Sequence, residues 1–174
     1  GKGVESLVRS LALLPENYLL RIIGGKPEPE LERLRELAAR AGTNTRIEFV
    51  GHVTQDRVGK LLRDADMFVI PLETETDFLA PMKMFEAVGF GLPIVATRMP
   101  SLTGLLSEPD NAIFAPATGP DGLAEAIARL GEDCGLRKTM RKNTTLLSQT
   151  LSTETRTQRL LDAFADLFGK GVLP

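Results

Sequence analysis

Apolar residues recur along this chain in two alternating rhythms. Val4, Leu7, Val8 and Leu11 follow the i, i+3, i+4, i+7 spacing of a helix buried on one side, and YLLRIIGG after them is a buried strand ended by glycines. The helical rhythm returns in EPELERLRELAARAG, through Leu31, Leu34, Leu37, Ala38 and Ala41, and IEFVG follows as a short strand stopped by Gly51. Thr54 stands where a helix cap belongs, ahead of an inner face of Val58, Leu61, Leu62 and Ala65. MFVIP, IVAT and AIFAP read as the third, fourth and fifth strands. SLTGLLSE is a short helix, DGLAEAIARLGE an amphipathic one, and GLRKTMRKNTTLLSQTL and ETRTQRLLDAFADLF make the end of the chain helical.

Strands alternating with helices require crossover connections. The expected fold is therefore α/β: a doubly wound, Rossmann-like parallel sheet with helices on both faces, followed by C-terminal helices. In this class ligands bind beyond the carboxyl ends of the strands, which directs attention to residues 24–28, 51–54, 72–80 and 98–101. The chain opens on a helix directly after GKG, so the strand that would feed this helix is expected upstream, in a longer protein.

Composition narrows the picture. With 174 residues, 43% hydrophobic and 25% charged, the chain suits one globular domain, residues 1–174. A formal net charge of -2 argues against nucleic acid as a partner, since that role needs a strongly basic face. One cysteine, Cys134, leaves no internal disulfide to form and fits a reducing, cytoplasmic setting; with His52 as the only histidine, no Cys/His zinc site can be assembled. No apolar run approaches the roughly 20 residues of a membrane-spanning helix, so any membrane contact would be peripheral and made through parts outside this chain.

The stretch TDFLAPMKMFEAVGFGLPIVAT, residues 76–97, carries the candidate chemistry. Pro81 suits the first position of a helix, and Gly89 and Gly91 end it before Pro93 and the strand IVAT, which predicts a short helix over 81–90. Its N-terminus faces a loop, where free backbone N–H groups and the positive end of the helix dipole can meet an anion. Glu86 lies about a turn and a half further in, at about 1.5 Å of rise per residue. A carboxylate there repels a phosphate but accepts hydrogen bonds from hydroxyls attached to one. A glutamate in mid-helix is by itself commonly an ordinary solvated side chain; its place just behind an anion-ready loop changes that reading.

The ordered set of segments resembles the C-terminal, donor-binding half of the group 1 family of glycosyltransferases, retaining enzymes of the two-domain GT-B fold. The resemblance runs through KGVESLVRSLALLP, LLRIIGGKPEPELERL, RIEFVGHVTQDRVGKLLRDADMFVIPL, PMKMFEAVGFGLPIVAT and EPDNAIFAPATGPDGLAEAI, nearly the whole chain. It implies that Glu86 binds the ribose hydroxyls of a UDP-, GDP- or ADP-sugar. Backbone amides around Leu79, Ala80, Met82 and Lys83 would hold the diphosphate and donor sugar, Lys2 and an upstream arginine would neutralise the phosphates, and Gly51, His52 and Val53 would present backbone groups to the base. No metal or cofactor is implied, and no catalytic residue in this half. The sugar or lipid-linked acceptor would bind an N-terminal domain absent from this chain, and the fragment alone would be inactive. Departures are also visible: Phe78 stands where many members carry a second glutamate, Pro100 and Ser101 replace paired glycines, Gly104 replaces a glutamate, and Lys26 and Ala112 replace glycines. These favour one other reading, a degenerate, non-catalytic nucleotide-sugar-binding module; the similar two-domain architecture leaves a GT-B-fold epimerase or phosphorylase as another.

Overall fold

The computed structural model describes residues 3–24, 29–74, 82–116 and 118–151. Helix α1 (Val4–Ser10), prolonged by a 3-10 turn (Leu11–Leu13), leads to β1 (Leu20–Ile23), α2 (Glu30–Arg40) and β2 (Ile47–Gly51). Then follow α3 (Gln55–Arg63), β3 (Phe68–Ile70), α4 (Met82–Gly89), β4 (Ile94–Thr97), α5 (Pro100–Thr103), β5 (Ala112–Ala115), α6 (Pro120–Glu132) and α7 (Cys134–Thr150). Each element expected up to residue 151 is present. The segment ETRTQRLLDAFADLF lies outside the described residues.

All strand pairs are parallel. β4 is central to one sheet, with Val69 opposite Val95 and Val95 opposite Ile113, while β1 pairs with β2 through Leu20–Ile47 and Ile22–Phe49. Instead of the single sheet the pattern suggested, the described residues form two hydrogen-bonded pieces, β1-β2 and β3-β4-β5. Successive side chains of a strand point to opposite faces, and the core divides accordingly. Val95 and Ile113 join α1, α2 and α6 in one cluster; Ile94, Ala96, Ala112 and Phe114 join Met84, Ala87 and Val88 of α4 in the other. Leu20, Ile22 and Phe49 also pack on the first cluster, so both sheet pieces border one core. α7 contacts α4 and α6 and ties the two sides together: Met140 is in the first cluster and Leu147 packs on the second.

This arrangement explains the sequence patterns. IVAT and AIFA are apolar at nearly every position because all their residues are buried, between helices on both faces, with a strand on both edges of β4 and, among the described residues, on one edge of β5. Thr54 occupies the cap position of α3 with extended backbone, but its hydroxyl makes no capping bond; the side-chain cap realised in the structure is Asp133, accepting from the Leu136 N–H at 2.8 Å.

Candidate functional site

Because the strands within each piece are parallel, the loops after them and the N-termini of the helices that follow collect at one end of that piece. The first contributor was invisible to local pattern. Gly3, the N-cap of α1, has φ 66° and lies so close to the Pro71 carbonyl that an added Cβ would collide with it. Only glycine meets both requirements. The Ser6 hydroxyl donates to Glu73, one turn into α1. The start of the chain is thereby held at the carboxyl end of β3, and Lys2 itself lies outside the described residues.

Gly51 ends β2 with φ 70°, and its carbonyl accepts from the Gly24 N–H at 2.8 Å, so the loops after β1 and β2 leave the sheet side by side. Just beyond, His52, Val53 and Thr54 with Arg57 line an open depression of about 450 Å³. His52 is exposed and Val53 half-buried. Arg57 was not anticipated as part of this place; the available signal was its position three residues after the Thr54 cap, which brings it back over the loop.

α4 buries Met84, Ala87 and Val88, and so turns residues 83, 86 and 90 to another side. Phe90, on that stripe, packs by Gly59 of α3, close enough that a Cβ there would sit 3.3 Å from its ring, and Arg63 of α3 lies 5.5 Å from the ring centroid. The stripe therefore faces α3. Glu86 lies one turn ahead of Phe90 on this stripe. Lys83 donates to both Glu86 oxygens, at 2.8 and 2.9 Å. The Glu86 side chain is 30% exposed and that of Lys83 65%. A carboxylate offers about four lone-pair sites, so an ammonium bridging both oxygens leaves room for about two more donors, the number a ribose diol brings. The Lys83 charge also offsets the repulsion Glu86 would exert on a nearby phosphate. This pairing was legible as a K-x-x-E spacing, one helical turn.

Met82 is 73% exposed at the first position of α4. Leu79, Ala80, Pro81 and Phe78 lie outside the described residues, so the amides assigned there have no described geometry. On the far side, Arg98 follows β4 with its guanidinium 4.7 Å from the Phe114 ring centroid, and Glu108 pairs with both Arg98 (2.7 Å) and Arg129 (2.8 Å). These contacts fix the loop after β4 and involve none of the residues singled out for chemistry. Among the described residues, no three His, Cys, Asp or Glu side chains cluster as a metal site would require, and no helix is long and apolar enough to cross a membrane.

Residues 1–133 match the family model described as glycosyl transferases group 1. The lipopolysaccharide core biosynthesis glycosyltransferase LpsD of Rhizobium meliloti is 31% identical over 98% of this chain and 47% of its own length. Among solved structures, Anabaena Alr3699/HepE in complex with UDP superimposes with a TM-score of 0.83 at 21% identity, over 95% of this chain and 45% of that one. Sucrose-phosphate synthase from Thermosynechococcus elongatus does so with a TM-score of 0.79 at 26% identity, over 96% and 42%. The chain thus spans less than half the length of these relatives.

Proposed function

From the membership of this chain in the group 1 glycosyltransferases, we propose that it is the donor-binding part of a retaining enzyme that takes a nucleotide-diphosphate sugar and passes the sugar to an acceptor held by another part of the protein. The observation that carries this reading is Glu86: a partly exposed carboxylate at the ligand end of a parallel sheet, bridged by Lys83 and still able to accept two hydroxyl donors. Glu86 binds the ribose diol. The His52–Arg57 depression receives the base, with Gly51 and Val53 shaping the loop that borders it. The diphosphate falls to Lys83, Lys2 and the amides of Leu79, Ala80 and Met82 at the start of α4. Fixed positive charge and oriented N–H groups around the departing diphosphate lower the barrier to its release, which is the part of the reaction this half supplies. Complexes of HepE with UDP and with UDP-glucose support a uridine-linked donor as the first to try.

Calorimetric titration of the full-length protein with UDP, GDP and ADP tests the reading. At least one should bind, and Glu86→Ala should weaken it by about 1.5 to 3 kcal/mol, the scale of hydrogen bonds to a charged group, or roughly 10- to 150-fold. Binding of none of the three, or affinity unchanged in Glu86→Ala, would overturn it.

A further inference from the structure

We infer that Phe90 is a positioning residue for donor binding: its ring, seated against Gly59 and Arg63, sets α3 and the depression at its start in register with the α4 stripe of Lys83 and Glu86. The inference rests on the reading that the depression takes the base and Glu86 the ribose. It begins with how α3 is held. The helix buries Gly59, Leu61 and Leu62, yet none of its residues belongs to either core cluster, although among the described residues every other α-helix supplies at least one. Side-chain contacts fasten it instead. Arg21 of β1 donates to the Leu61 carbonyl at 3.3 Å, and Arg141 of α7 donates to the Ala65 carbonyl, just past the helix, at 2.9 Å. The third contact comes from Phe90, and it alone joins α3 to the segment that carries Glu86.

The fit is a specific one. A Cβ added at Gly59 would stand 3.3 Å from the ring's Cζ and 3.6 Å from its Cε1, so the tip of the ring fills the space that a side chain at this position would need. A glycine inside a helix is destabilising relative to alanine; here its missing side chain makes the room. Arg63, one turn further along α3, lies 5.5 Å from the ring centroid, within reach of a cation–π contact. Phe90 itself is half-buried and lies in neither core cluster, so its packing is directed at α3. The Phe90 N–H donates to the Glu86 carbonyl at 3.2 Å, which ties the ring to the turn bearing the carboxylate. On the other side, any movement of α3 carries Arg57 with it and displaces the wall of the depression. A nucleoside joins base to ribose through a single rotatable bond, so both contacts form together only at one spacing of the two helices. Looseness there lowers affinity without removing a contacting group.

The test is calorimetric titration of the full-length protein with UDP, GDP and ADP, each variant being compared below its unfolding transition so that affinity rather than the folded fraction is read. Phe90→Ala should weaken the tightest-bound of the three about 5- to 10-fold, and Gly59→Leu, which overfills the notch, should weaken it by a similar factor. In the double variant Gly59→Leu, Phe90→Ala the new side chain takes the room left by the ring, and binding should return to within about threefold of the parent. Phe90→Met, which keeps a long apolar chain in the notch and needs no change at Gly59, should also bind within about threefold. Factors that simply multiply in the double variant, Phe90→Ala binding as tightly as the parent, or Phe90→Met binding as weakly as Phe90→Ala would overturn the inference. With Glu86→Ala still weakening binding, any of these would leave the donor reading in place. Binding of none of the three nucleotides by the parent protein would overturn that reading and this inference with it.

Discussion

β4 and β1 are both four-residue strands in parallel pairs, IVAT and LRII, yet every residue of β4 is buried and none of β1 is. The difference does not come from hydrophobicity, since three of the four residues are apolar in each. It comes from neighbours. β4 has a hydrogen-bonded strand on each edge and a core cluster on each face, whereas among the described residues β1 has β2 on one edge only, and Arg21 on one face reaches out to Glu48 and to the Leu61 carbonyl of α3. An apolar strand defines what it can bury, and the elements around it decide how much it does. The same contrast separates the molecule by role: the β3-β4-β5 piece with α4, α6 and α7 is the packed frame, and the loops beyond its carboxyl end, with those of β1 and β2, carry the residues proposed for donor binding.

The comparison can be broken most directly by truncation in the two pieces. Ile113→Ala, in β5 at 1% exposure, should cost about 3 to 4 kcal/mol in urea unfolding, removing transfer energy and leaving a cavity, while Ile22→Ala should cost about half as much. Equal losses would mean that the β1 piece is packed as fully as the frame. Gly91→Ala comes next, at about 1 to 3 kcal/mol: φ is 63° there, and the new Cβ would lie 2.5 Å from the Thr145 hydroxyl of α7. Adding Thr145→Ala should recover the steric part and leave the backbone strain, so a double-mutant cycle with no coupling would refute this account of how α7 closes on the frame. At the ligand end, Lys83→Met should lower nucleotide affinity several-fold while shifting the unfolding free energy by less than about 0.5 kcal/mol, as expected of an exposed i, i+3 pair. A large stability loss with unchanged affinity would make the Lys83–Glu86 pair a structural one. Smallest of all, Glu48→Gln should change stability by less than about 1 kcal/mol, because the Arg21–Glu48 pair is solvent-exposed on both sides.

Much of the fold could be read in advance where a rule is local. IEFVG is β2 from Ile47 to Gly51, the helix expected over 81–90 is α4 from Met82 to Gly89, and the periodic stretch after DGLAEAIARLGE is α7. The Lys83–Glu86 ion pair is likewise a local contact, at a one-turn K-x-x-E spacing. What escaped were contacts between segments distant in sequence. Nothing near residue 3 says that its glycine must clear the Pro71 carbonyl, and nothing near residue 57 marks Arg57 as a wall beside His52. Thr54 shows the limit of a local rule: it sits in the cap position without making the capping bond.

Residue order along the chain was enough to settle the alternation of strands and helices, the parallel sense of their pairing and the buried face of each helix. These follow from side-chain periodicity and from the handedness of short connections, which act within a few tens of residues. Only the tertiary structure decided that the strands pair as two pieces around one shared core, that the Glu86 stripe faces α3, and that the beginning of the chain is held at the carboxyl end of β3. Those outcomes depend on which surfaces meet across long stretches of chain, as Ser6 and Glu73 do with a separation of 67, and no local periodicity encodes such a meeting.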